Sequence, residues 1–210
     1  MREAVLSKAT KVTEVRIAGV CLVFLLSSLL LPAPSTADSP TEQVRGTVDK
    51  VLAIIRNPTV KSAGQTQGLH AQLAEVIYPR FDFAEMAKRS LGPNWARRTL
   101  EEQREFVKIF TALMVRTYAD NIESYSSQNV LYTREVVDKD FAEVGTKIVA
   151  DKNTEFSITY KLHSVDKQWK VYDLVIEDIS VVNNYRSQFN RVIARSSFTE
   201  LVRTMKEKQP

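Results

Sequence analysis

Residues 156–176 read FSITYKLHSVDKQWKVYDLVI, and this stretch decides the fold. Its first eight residues alternate strictly between apolar and polar side chains, which is the period of a β-strand with one buried face. Asp166-Lys167 is a short polar joint of the kind that closes a β-hairpin. The strand predicted after it, Trp169 to Ile176, is apolar on both faces, which is typical of a strand covered on both sides. The stretch therefore predicts two antiparallel strands, the second of them central or covered.

Two more strands are predicted immediately upstream, over residues 130–137 and 141–150, where valine, isoleucine, tyrosine and threonine are frequent. Asp151-Lys152-Asn153 is a second polar joint, placed between the second and third strands. We therefore expect about four strands in a curved antiparallel sheet that spans residues 128–177.

Helical periodicity dominates residues 38–126 and returns over residues 181–208. Four helix starts carry a short polar residue followed three positions later by glutamate, the pattern of a capping box: Ser39 with Glu42, Asp82 with Glu85, Thr99 with Glu102, and Ser197 with Glu200. The longest helix follows Thr99, and a short one is expected to end at Gly92-Pro93. The predicted class is α+β, with an N-terminal helical half and a sheet covered by helices.

The first 37 residues have the three parts of a secretory signal peptide. Met1 to Arg16 carries four basic residues, Ile17 to Leu31 is free of charge, and Ser35-Thr36-Ala37 supplies small residues for cleavage after Ala37. The alternative is an uncleaved anchor, but fifteen apolar residues fall short of the roughly 20 that span a bilayer. We expect an exported protein in which residues 38–210 form a single domain.

The charge of the chain resides largely in this leader. Residues 38–210 carry 25 Lys or Arg and 23 Asp or Glu, a net charge of +2 against +4 for the whole chain. This balance lacks the clustered positive field that nucleic-acid binding requires. The lone cysteine, Cys21, lies inside the leader, so the mature chain uses neither a disulfide nor a thiolate site.

Residues that could support catalysis are sparse. His70 and His163 are 93 positions apart and have no partner at the spacing of a metal site. The acidic pairs Glu101-Glu102 and Glu177-Asp178 could supply a general acid and base, but a helix start and a strand end explain them better. The residues therefore favour neither acid–base catalysis nor a metal site, and no cofactor is expected.

Two separated blocks of residues closely resemble the MlaC family, also known as toluene-tolerance auxiliary proteins. The first block contains Phe81-Asp82-Phe83, Met86, Leu91-Gly92, Trp95, Glu102-Gln103-Arg104, Phe106, Phe110 and Thr117-Tyr118. The second contains Trp169 to Asp173, Val175-Ile176, Ser180, Val182, Asn184-Tyr185-Arg186 and Gln188-Phe189. The sequence departs from the family pattern in two places. Glu177-Asp178 stands where a small residue often follows the isoleucine, and Ser196-Ser197-Phe198 stands where glycine is common.

The resemblance implies a periplasmic lipid carrier without enzymatic activity, here expected to be a monomer. Such a carrier takes phospholipid between an outer-membrane lipoprotein complex and an inner-membrane ABC transporter complex, and so maintains the lipid asymmetry of the outer membrane. The implied fold has an NTF2-like cavity between sheet and helices. A branch of the family is associated with hopanoids, so a hopanoid ligand stays open.

We expect the acyl chains to lie between the long helix and the last strand, in a cavity toward the upper end of the 300 to 1,000 Å³ range of ligand pockets. The candidate lipid-binding residues are Phe106, Phe110, Met114, Tyr118, Tyr125, Val171, Leu174, Val175, Ile176 and Tyr185. Ordinary core packing is the competing interpretation for each of them. A small-molecule enzyme and an adaptor without a ligand are the two alternatives to the lipid carrier.

Overall fold

The computed structural model of the protein describes residues 38–57, 66–122, 129–149 and 155–207. The predicted signal peptide lies outside the described residues. The helical half contains α1 (Pro40–Arg56), α2 (Thr66–Ile77), α3 (Phe83–Leu91) and α4 (Leu100–Ile122). A 3₁₀ helix, Gly92–Arg97, joins α3 to α4, and its six residues are too few to show a period in the sequence. None of the described helices has the length and apolarity needed to cross a bilayer.

Reciprocal capping boxes start α1 and α4. Ser39 Oγ accepts a hydrogen bond from the backbone N–H of Glu42 at 3.2 Å, and the Glu42 carboxylate accepts one from the Ser39 N–H at 3.0 Å. Thr99 and Glu102 make the same pair of bonds at 3.2 and 2.8 Å. Each box satisfies two backbone N–H groups that a helix start leaves without partners.

The start of α3 follows the predicted pattern only in part. Asp82 accepts a hydrogen bond from the Glu85 N–H at 2.9 Å, but the Glu85 carboxylate does not reach back to Asp82. It pairs instead with Lys88 and Arg89, at 3.0 and 2.9 Å, because these cations lie three and four positions along the same helix. Gly92 ends α3 with a φ of +55°, a left-handed conformation that glycine adopts without steric cost.

The sheet is antiparallel throughout and its strands follow chain order. The described strands are β1 (Asn129–Asp138), β2 (Phe141–Val149), β3 (Glu155–Val165), β4 (Gln168–Ile176) and β5 (Ile179–Ser180). The α+β class is confirmed, whereas the expected count of about four strands is one too low. A two-residue strand such as β5 is too short to show alternation in the sequence.

Two tight turns of the same kind flank β4. Asp166 and Lys167 have φ values of 50° and 62°, and Glu177 and Asp178 have 45° and 61°. Two consecutive left-handed residues are the mark of a type I′ hairpin turn, whose twist matches that of the strands. The Glu177 carboxylate also accepts a hydrogen bond from the Ser157 N–H. The acidic pair is thus a turn rather than a strand end, and the predicted joint at 151–153 lies outside the described residues.

Two helices follow the sheet, α5 (Val181–Arg195) and α6 (Phe198–Glu207). The buried carboxylate of Asp173 on β4 accepts hydrogen bonds from the Val182 N–H at 3.0 Å and from Ser180 Oγ at 2.6 Å. This carboxylate caps the N-terminus of α5, where a negative charge is favoured. It thereby fixes the helix to the sheet.

Buried apolar side chains form three clusters instead of one. The largest lies among α3, α4, α5 and α6 and includes the fully buried Phe106 and Phe110. The second joins Val44 of α1 to Ala142, Val144, Leu162 and Val171 of the sheet. The third joins α1 to α2 through Ile55, Leu69 and Leu73. The three clusters surround the cavity described next.

Candidate binding cavity

A cavity of about 310 Å³ lies where the three clusters meet. Helices α1, α2 and α4 form one side and the strands form the other. The helical wall includes Val48, Val51, Leu52, Ile55, Leu73, Ala74, Ile77, Met114, Val115 and Tyr118. The sheet wall includes Val130, Ile148, Phe156, Ile158, Tyr160, Leu174 and Ile176, and the segment before and into α3 adds Tyr78, Phe81 and Phe83.

Alternation along β3 builds the sheet wall. Phe156, Ile158 and Tyr160 project from the same face because residues two apart on a strand share a side. On β4, Ile176 lies opposite Ile158 and Leu174 lies opposite Tyr160. These side chains are only half-buried, although helices cover this face, because part of each side chain faces the cavity.

The cavity wall contains few polar groups. No Asp, Glu, Lys or Arg is among the described lining residues. Burial, followed by the neighbouring Tyr185 and Asp173, raises the pKa of Tyr118 to about 12. Burial and the nearby Tyr132 also raise the pKa of Tyr160, against a hydrogen bond to Thr146 that lowers it. Both phenols therefore stay neutral at physiological pH, and the wall suits hydrocarbon.

Four of the predicted residues line the cavity: Met114, Tyr118, Leu174 and Ile176. Val175 lies between two of them on β4 and does not line it, because alternate residues of a strand face opposite sides. It is paired with Ser180 of β5. Tyr125 lies outside the described residues.

The other four predicted residues are packed against protein. The Phe106 ring contacts Phe189 edge to face with centroids 5.7 Å apart, and Phe110 contacts Tyr185 in the same way at 5.8 Å. Val171 is buried in the cluster that joins α1 to the sheet. For these residues the structure shows the core packing that competed with the lipid-binding interpretation.

The sequence prediction missed the walls supplied by α1, α2 and β3. The apolar stripe on α1 is plain in the sequence, but its members divide: Val44 is buried in a cluster away from the cavity, whereas Val48 and Leu52 are half-buried in the wall. A stripe indicates which side of a helix is apolar. It carries no signal for whether the facing element touches that side.

The cavity is smaller than expected. Its volume lies at the lower end of the range for ligand pockets and not at the upper end. An apolar cavity of about 150 Å³ accommodates one benzene ring, so this one accommodates about twelve carbon atoms. The helices α1 and α2, which form part of its wall, pack on each other through Ile55, Leu69 and Leu73.

The candidate catalytic residues lie elsewhere, except for His70, which is part of the cavity wall. His163 Nε2 is 3.0 Å from Asp82 Oδ2, and the two residues do not line the cavity. Glu102 is engaged in the cap of α4, and Glu177 lies in a turn. Within the described ranges, no group of three His, Cys, Asp or Glu side chains is arranged to hold a metal ion.

The chain is similar to proteins of known sequence and structure over most of its length. The family model of the MlaC protein matches residues 45–207. Toluene tolerance protein ttg2D of Pseudomonas putida is 22% identical over 177 residues, covering 83% of this chain and 81% of that protein. The intermembrane phospholipid transport system binding protein MlaC of Haemophilus influenzae is 21% identical over 192 residues, covering 89% and 90%.

A solved structure shares the fold. The phospholipid-binding protein from Ralstonia solanacearum, solved in complex with a phospholipid, superposes with a TM-score of 0.74 at 27% sequence identity. The match covers 82% of this chain and 97% of that one.

Proposed function

The chain belongs to the MlaC family, and from that premise we propose that it is a periplasmic lipid carrier that holds phospholipid acyl chains in the cavity between helices and sheet. The observation that carries the proposal is the uncharged apolar cavity, in a fold whose Ralstonia solanacearum relative was solved with a phospholipid. Met114, Tyr118, Leu174 and Ile176 contact the chains, together with the walls from α1, α2 and β3.

The carrier acts between two membranes. Its partners are an outer-membrane lipoprotein complex and an inner-membrane ABC transporter complex, and its transport maintains outer-membrane lipid asymmetry. Residues 1–37 direct export and are removed after Ala37, which leaves a monomeric single-domain protein of residues 38–210. It performs no catalysis and needs no cofactor. Two relatives support this role, since one is named for phospholipid transport and the other for toluene tolerance.

The energetics of the ligand require handover by direct contact. Two acyl chains contain about 30 methylene groups, and each costs about 0.8 kcal/mol to expose to water. The gross cost of releasing the lipid into solution is therefore on the order of 20 kcal/mol. The carrier must unload while docked on its partner. Because the cavity accommodates about twelve carbons, a two-chain lipid also extends beyond it or displaces its wall.

Analysis of bound lipid tests the proposal. The full-length chain is expressed with its leader, purified from the periplasm without detergent, and its organic extract is examined by mass spectrometry and phosphorus assay. We expect about one phospholipid per chain and an N-terminus at Asp38. A hopanoid in the extract would show that the ligand is a hopanoid and not a phospholipid. Protein that carries no lipid from any membrane would refute the proposed carrier function.

A further inference from the structure

Arg80 is a half-buried arginine held in one orientation between α2 and α3. Its Nε donates to Thr47 Oγ1 at 3.2 Å, and its Nη1 donates to the carbonyl of Trp169 at 2.5 Å and to the side-chain oxygen of Gln43. The acceptors come from α1 and β4, which lie far from Arg80 in sequence. The guanidinium is thus fixed by three bonds before any ligand arrives.

All three acceptors of Arg80 are neutral. Among the described residues no carboxylate lies within 4.0 Å of it, and none accepts from its Nη2. In contrast, Arg89 and Arg203 each pair with a glutamate of their own helix, and Arg98 pairs with Glu102 of α4. Burial lowers the pKa of Arg80 in spite of the attraction of Asp38. The side chain is therefore a positioned cation whose charge is not neutralised by a close ion pair.

Arg80 stands directly behind the cavity wall, although it does not line the cavity itself. Thr47, to which it is bonded, lines the cavity, and so do its chain neighbours Tyr78 and Phe81. Tyr78 is 44% exposed while it lines the wall. A second cation is close in the fold, because Lys170 Nζ donates to the carbonyl of Pro79 at 2.5 Å. Two positively charged side chains thus lie next to the wall of the apolar cavity.

We propose that Arg80 binds the phosphate of a lipid whose acyl chains occupy the cavity, with Nη2 donating to a phosphate oxygen. The proposal rests on the proposed function and adds to it the residue that contacts the lipid phosphate. A guanidinium is the side chain best suited to a phosphate, because its N–H groups are planar and permanently charged. The three existing bonds remove most of the ordering cost of recognition.

The test compares two lipids with the same acyl chains, dioleoylphosphatidylglycerol and dioleoylglycerol, which lacks the phosphate. Delipidated protein is incubated with vesicles containing each lipid, and its occupancy is measured by native mass spectrometry. The wild type is expected to prefer the phospholipid by about tenfold or more, as for one charge-assisted hydrogen bond. Equal affinity for the two lipids would overturn the proposal, whereas binding of neither would refute the carrier function itself.

Variants separate recognition from structure. Arg80→Gln should lose the preference, with phospholipid affinity falling about tenfold and dioleoylglycerol affinity unchanged. Arg80→Lys should keep part of the preference, and Arg191→Gln, on an exposed residue of α5, should keep all of it. Equal losses for both lipids in Arg80→Gln would show a structural role and overturn the proposal. If Arg80→Gln does not fold, the lipid preference of the wild type and the reduced preference expected of Arg80→Lys test the proposal instead.

Competition with inorganic phosphate tests whether Arg80 is a site for a free anion instead of a lipid phosphate. A site built for a lipid phosphate should bind the free ion only weakly, because the hydrocarbon supplies most of the binding energy. We expect no displacement of phosphatidylglycerol by millimolar inorganic phosphate. Saturable phosphate binding that depends on Arg80 and is indifferent to lipid would identify a free-anion site and overturn the proposal.

Discussion

Filling the cavity from one small side chain should weaken lipid binding more than tenfold without unfolding the protein. Ala74 lies on α2 and lines the cavity, so Ala74→Trp adds nine heavy atoms to the space. At the benzene calibration of about 150 Å³ for six carbons, they take up about 225 Å³ of the 310 Å³ available. Roughly three quarters of the cavity is then occupied by protein.

The expected loss of affinity follows from the displaced methylenes. The open cavity holds about twelve carbons, worth about 10 kcal/mol of gross transfer free energy at about 0.8 kcal/mol each. Losing even a quarter of this, about 2.5 kcal/mol, weakens binding more than tenfold. Lipid phosphorus per chain in purified Ala74→Trp should therefore fall well below the wild-type value.

Ala71 provides a matched control on the same helix. It lies three positions earlier, is exposed and does not line the cavity, so Ala71→Trp makes the same chemical change outside the site. We expect wild-type lipid content in this variant and cooperative thermal unfolding in both. A folded Ala74→Trp that retains the wild-type lipid load would refute the assignment of the cavity as the acyl-chain site.

Unfolding in urea tests three further features of the structure: the core, one turn and the buried tyrosines. Phe106→Ala, at a fully buried ring, should lower the free energy of unfolding in urea by about 3–5 kcal/mol, and a loss below about 1 kcal/mol would contradict its place in the core. Asp178→Gly should raise that free energy by about 1 kcal/mol, because Asp178 has a φ of 61°; unchanged or lower stability would argue against strain there. Burial is the main cause that raises the pKa of Tyr118 and Tyr132 from 10 to about 12. Because the folded state favours the neutral phenols, their contribution to the free energy of unfolding is fully present below pH 10. It is lost as the pH rises to about 12. Urea unfolding across this interval should show the decline, and Tyr118→Phe should decline less steeply; identical slopes would contradict the shift.

Periodicity predicted most of the fold because the elements are long enough to repeat a pattern. The strict alternation of residues 156–163 gave β3, and the capping pair Thr99 and Glu102 located the start of α4. The missed elements are the 3₁₀ helix Gly92–Arg97 and the strand Ile179–Ser180. Both are shorter than the window in which a period is visible.

The cavity was harder to predict than the fold because core and cavity wall have the same composition. On α4, Phe110 is fully buried, while Met114, one turn later, is buried yet lines the cavity. On β4 every residue from Leu174 to Ile176 is apolar, so the sequence could not show that Val175 faces away. Only the distance between facing elements distinguishes a wall from a core, and a single sequence does not contain that distance.

The division of the apolar interior into three clusters has a consequence for the local stability of the proposed carrier with and without lipid. Each cluster contributes side chains to the cavity wall, so a hydrocarbon chain there touches all three and completes their packing. Binding to the folded state alone adds stability by mass action. Without a bound chain, α2 keeps only the small cluster that it shares with α1, and we expect this pair of helices to open first. A protease or a hydrogen-exchange experiment would then distinguish a full carrier from an empty one at these two helices.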